Sequence, residues 1–176
     1  KEIDLKQFDI SILIKRLLNL YPSAFRYIWY HPQTGFWCGA SPEILFQTEG
    51  TSFATMALAG TQIIKKDTVP YWNIKELNEQ KIVVDAITNS LKKLTSVLRI
   101  SETYNYKAAS LVHLRTDITG NLKEEKKTLS VIASVLHPTP AVCGTPQDYA
   151  KSYILDNEDY DREFYTGFLG PIYQKD

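Results

Sequence analysis

Cysteine is scarce in this 176-residue chain. Only Cys38 and Cys143 occur, in neither CxxC nor metal-ligand spacing, so a disulfide scaffold and a zinc ribbon are both excluded. Histidine is equally thin: His31, His113 and His137 lie too far apart in sequence for a local zinc site. Charge of one sign is missing too. Twenty acidic and twenty basic residues cancel, and no basic block or stripe marks a nucleic-acid or anionic-membrane partner. No apolar run approaches the roughly 18 residues that a transmembrane helix requires. The chain opens on neither a secretory leader pattern nor an initiator methionine. Two reduced thiols in a cytoplasmic setting are therefore the expectation.

What is present is the apolar material for one core. The hydrophobic share is 44%, which at this length suits a single domain or a piece of one. Ile10–Leu20 carries apolar residues at 10, 13, 14, 17 and 18, one face of a helix. Ala24–Tyr30 and Phe36–Gly39 read as strands around a turn at His31–Gly35. Glu43–Gln47 and Ser52–Leu58 read as further strands around Glu49-Gly50. Gly60 to Tyr71 reads as a polar loop. Asn73 and Glu76 form a capping box, and a long helix is predicted from Ile74 to about Leu94. Its apolar stripe runs through Leu77, Val84, Ile87, Leu91 and Leu94. Leu111–Thr119 alternates as a strand. Helices are predicted at Lys127–Leu136 and on to Leu155, with a last strand from Phe168 to Tyr173. Hairpin-ordered strands with interspersed helices predict an α+β fold.

Several positions read two ways on residue type alone. Glu43 is either a solvated strand-edge glutamate or, flanked by Trp37, Ile44, Leu45 and Phe46, a desolvated carboxyl able to hold a proton near neutral pH. Leu58-Ala59-Gly60-Thr61 is either a strand-end turn or a place where Gly60 admits a ligand to the backbone. Glu76 and Glu79 share a helix face, most simply in solvent. His113, between Val112 and Leu114, is a core histidine or a ligand contact. Arg162 pairs with a nearby acid or joins a site.

The most specific stretch is His137-Pro138-Thr139-Pro140-Ala141-Val142-Cys143-Gly144-Thr145-Pro146. Prolines at 138, 140 and 146 stiffen it before any ligand arrives. Alone it is either a rigid helix-to-helix connector or a binding wall. Together, "LHPTPAVCGTP" and "DYDREFYTGFLGP" resemble the chorismate-using enzymes, and within them the isochorismate and salicylate synthases of the menaquinone and siderophore type. The resemblance runs from about Ala24 to Pro171.

The resemblance implies an α+β fold of two antiparallel sheets packed as a sandwich, with outer helices and the site in a cleft. It implies chorismate as substrate and Mg2+ as cofactor. It implies that Glu43, in "SPE", is the acid that protonates the leaving C4 hydroxyl. It places Ala59, Gly60, Thr61, His113, Thr116 and Gly144 against the substrate. By the same alignment Glu79, not Glu76, is a magnesium ligand in "KELNEQKIV", and Glu158 is the second. The reaction it implies is addition of water at C2 with loss of the C4 hydroxyl, without a redox cofactor. The lysine base, the arginine clamp and the last metal ligand of such enzymes are not matched within residues 1–176. The chain is thus expected to be part of one chorismate-binding domain, truncated at both ends and inactive alone. Alanine at 59 admits anthranilate synthases, but the wording of the proline elbow favours the water-using branch, with no obligate glutaminase subunit. A salicylate synthase and a non-catalytic scaffold remain the alternatives.

Overall fold

The computed structural model describes residues 9–64, 68–123 and 128–173. Two long strands form its centre: β4 (Ser52–Ile63) and β7 (Leu111–Leu122), paired antiparallel from Ser52↔Asn121 to Ile63↔Leu111. β7 alternates buried residues with half-buried or, at Thr119, exposed ones along its length, the period-2 signature of a strand with one face inward. Around this pair lie β3 (Gln47–Glu49) beside β4, and β5 (Thr95–Ile100) and β6 (Tyr104–Ala108) beside β7. A separate two-stranded sheet joins β1 (Phe25–His31) to β2 (Gly35–Ser41). All pairings are antiparallel, and neither sheet closes into a barrel. The fold is α+β, as the element order predicts.

Helix α1 (Ile10–Leu20) is capped by Asp9, whose carboxylate accepts from the amides of Ser11 and Ile12. Helix α2 (Ile74–Leu91) starts at the predicted capping box: Asn73 caps the first turn, and Glu76 accepts from the Asn73 amide at 2.9 Å. α2 packs across β4. Its Val83, Ile87 and Leu91 meet Phe53, Ala57, Ile118 and Leu122 of the sheet and Ile132 and Leu136 of α3 (Leu129–Leu136) in one core. A short helix α4 (Pro140–Cys143) and α5 (Gln147–Asn157) follow.

Several expectations are corrected. Glu43–Gln47 forms no strand except at its last residue. Leu45 and Phe46 do pack on the core, but the Leu45 carbonyl accepts from the Thr55 hydroxyl at 2.6 Å. The predicted loop from Gly60 begins instead as strand, because β4 continues to Ile63 past a bulge at Gly60. α2 ends at Leu91, and its buried stripe includes Gln80 and Thr88 while Leu77 is exposed. Lys127 lies outside the described residues, and α3 is described from Leu129. Residues 168–173 form no strand.

Candidate active site

A cavity of about 590 Å³ opens where β4, β7, α2 and the proline elbow meet. One wall is the end of β2 with Ser41, Pro42 and Glu43. The floor is Leu58–Thr61 of β4 with His113 of β7. Glu79, Ile82 and Val83 of α2 form a second wall, and Pro140, Ala141, Val142, Gly144 and Thr145 a third. The volume lies within the usual range for small-molecule sites, and the lining is mostly apolar with a few polar groups, as such sites are.

Glu43 follows Ser41-Pro42, and its amide donates to the Ser41 hydroxyl at 3.3 Å. Burial pushes its carboxyl above the ordinary glutamate range. Desolvation penalises the charged form, and among the described residues no cation pairs with Glu43 to offset it. Burial thus favours its protonated form more than that of a solvated glutamate.

Gly60 sits at the bulge with φ +67°, a left-handed conformation that glycine adopts freely. The Trp72 ring lies 3.2 Å from where a Cβ would stand there. The bulge brings the Gly60 carbonyl to 3.2 Å from His113 Nδ1, with the Thr61 hydroxyl 3.0 Å from the same nitrogen. The Gly60 carbonyl only accepts, while the Thr61 hydroxyl can donate or accept, so this pair of contacts can hold the ring in either tautomer. His113 is therefore fixed by the floor segment itself.

Glu79 is the other carboxylate of the lining among the described residues. It is half-exposed, with Lys75 3.7 Å away one turn earlier. Glu76, on the same helix face, is engaged at the capping box and by Gln62 Nε2 at 3.2 Å.

Two expected site residues stand elsewhere. Thr116 is 1% exposed and absent from the lining; its hydroxyl accepts from Gln80 Nε2 at 3.0 Å and pairs with Thr103 at 2.8 Å. Glu158 is also absent from the lining, and Arg162 binds both of its oxygens. That hydrogen-bonded guanidinium holds the Glu158 carboxyl below its ordinary range. Missed at the sequence level were Ile82 and Val83 of the α2 wall, and Gln80 beneath it. Nothing in their residue types marks them as site-forming.

Among the described residues no three His, Cys, Asp or Glu side chains gather into a metal cluster. The donor set still fits magnesium in one form. Mg2+ commonly takes one or two protein carboxylates and completes its shell with water and ligand oxygens, and Glu79 offers a half-exposed carboxylate at the cavity.

The profile of a family described as "Chorismate binding enzyme" matches residues 2–176. The chain belongs to that family. Within it, the chain is similar to isochorismate synthase DhbC of Bacillus subtilis, at 37% identity over 75% of this chain and 35% of the relative. It is similar to isochorismate synthase EntC of Escherichia coli at 29% identity over 92% of this chain and 44% of the relative. Among solved structures, MenF, the menaquinone-specific isochorismate synthase from Escherichia coli, superposes with a TM-score of 0.80 at 26% identity over 88% of this chain and 38% of that one. The chain thus spans less than half the length of these relatives. No helix among the described residues is long and apolar enough to cross a membrane.

Proposed function

We propose that the protein carrying this chain is an isochorismate synthase that binds chorismate in the 590 Å³ cavity. The observation that carries this reading is Glu43: a carboxyl kept protonatable by burial, in the cavity wall facing a floor of backbone and histidine. The names of the relatives point the same way.

In this reading Glu43 gives its proton to the C4 hydroxyl, the C4–O bond breaks, and that oxygen leaves as water. A water oxygen forms the new bond at C2 while the ring double bond shifts. One water enters and one departs, so the product is an isomer and no oxidant is needed. By the family resemblance, the base that takes the incoming water's proton is a lysine not matched within residues 1–176. His113, its Nδ1 held by Gly60 and Thr61, turns its other ring nitrogen to hydrogen-bond a ligand hydroxyl. The stiff Pro140–Thr145 wall gives the ring a preset surface to pack against. Glu79 would hold Mg2+, which when bound neutralises a substrate carboxylate.

The test is turnover of chorismate by the intact protein, with and without Mg2+, with products separated against authentic standards. Magnesium-dependent formation of isochorismate supports the reading. Salicylate with pyruvate, anthranilate on adding ammonium, or no consumption of chorismate each overturns it.

A further inference from the structure

We infer that Gln80 is a positioning residue that sets where the Glu79 carboxylate stands in the cavity wall; the inference rests on the reading above. Gln80 is 2% exposed and occupies the site end of the buried α2 stripe, ahead of Val83, Ile87 and Leu91. An apolar side chain there would complete the core. The amide instead reaches across to the sheet. Its Nε2 donates to the Ala57 carbonyl at 3.2 Å and to the Thr116 hydroxyl at 3.0 Å. Ala57 and Thr116 are direct partners across β4 and β7, so one amide joins the helix to both central strands at a single rung. Ala57 is three residues before the Gly60 bulge, and Gln80 directly follows Glu79.

Gln80 Oε1 has no hydrogen-bond partner among the described residues. A buried amide with an unmade bond costs stability, so a core that needed only packing gains nothing from glutamine. Glu79 itself is weakly restrained. Its contact with Lys75 joins two exposed side chains, and such pairs fix little. The stronger tie at this turn is the Gln80 amide. It also gives buried Thr116 a role as an anchor, itself held by Thr103, rather than as a substrate contact.

The test uses the intact protein and Mn2+ as the probe, with free Mn2+ counted by electron paramagnetic resonance. Gln80→Met keeps length and apolar fit but removes the amide. Mn2+ affinity should fall roughly 10-fold or more, as when a group that orients a metal ligand is lost, while the melting temperature changes little. Thr116→Val, which removes one acceptor, should weaken Mn2+ in the same direction by less. Glu79→Gln, which alters the ligand itself, should weaken Mn2+ more than either. Mn2+ affinity in folded Gln80→Met equal to that of the unsubstituted protein overturns the inference. Should Gln80→Met fail to fold, unchanged affinity in Thr116→Val overturns it instead. Chorismate turnover by the unsubstituted protein separates the two ideas. Turnover with an unmoved Mn2+ affinity in the variants defeats this inference alone. No turnover, with the Mn2+ shift present, defeats the functional reading alone.

Discussion

Replacing Glu43 by glutamine should lower activity and raise stability at once. The side chain keeps its shape and loses its proton donor. A positioned general acid is worth roughly 10²–10⁴-fold, about 3–5 kcal/mol of barrier, so kcat should fall by that range with the magnesium requirement unchanged. The stability effect follows from the direction of the pKa shift. Burial raises the folded-state pKa of Glu43 above its unfolded value. Between the two values the folded protein binds more protons than the unfolded chain, so stability falls as pH rises through that window. The loss is complete above the folded pKa and absent below the unfolded one. Glutamine does not titrate. Glu43→Gln should therefore melt higher than the parent at pH values above the raised pKa, and the gap should close as pH falls through it. The same titration sets activity: the parent should lose kcat as pH rises past the folded pKa, and the variant's small residual rate should lack that limb. The assay is thermal melting of both proteins across pH 4–8 together with kcat over the same range. A variant that melts lower than the parent at every pH, or keeps its rate, refutes the general-acid assignment.

Glu79→Gln should leave the alkaline limb of the rate profile in place while raising the Mg2+ concentration needed for half-maximal rate, because it removes a ligand rather than a proton. Magnesium titration of both variants checks this, and identical shifts in Glu43→Gln and Glu79→Gln would mean that the roles are misassigned. Gly120→Ala should destabilise without touching the site: its Cβ would stand 2.0 Å from the Val97 carbonyl oxygen of β5 and 2.9 Å from the Phe53 ring, an overpacking cost of about 3 kcal/mol. Urea denaturation measures it, and a loss below about 0.5 kcal/mol would contradict the β5–β7 register.

The features legible in the sequence are those fixed by local chemistry. The capping box at Asn73 and Glu76, the Gly35 turn and the alternation of β7 were all readable from a few neighbouring residues. β5 and β6 were not. Both lie against β7 with mostly exposed residues, so neither carries a strong alternation. The β6–β7 turn at Ala109-Ser110 puts Ala109 at φ +52°, where glycine or asparagine would have announced a hairpin. Residues 43–46 misled in the opposite way: their apolar run reflects packing on the core, not strand pairing. At the site, Glu43, Ala59, Gly60, Thr61, Glu79, His113 and Gly144 share one cavity, grouped in the sequence by family wording rather than by spacing. Thr116 stands outside that cavity because its partner, Gln80, is set by packing; Glu158 is held by Arg162, the nearby-acid pairing that the sequence offered as one reading. The placement of Gln80 was hidden as that of Thr116 was, since a helical stripe read from apolar residues passes over a buried amide.

The central claim is that this cavity directs a solvent oxygen to C2 of chorismate. On that proposal the attacking atom comes from solution, since alanine at position 59 offers no nucleophile. Turnover by the intact protein in oxygen-18 water, followed by mass spectrometry of the product, tests this directly. The account predicts isochorismate carrying one heavy oxygen, located at C2. An unlabelled hydroxyl at that carbon, or an aminated product when ammonium is supplied, would contradict it.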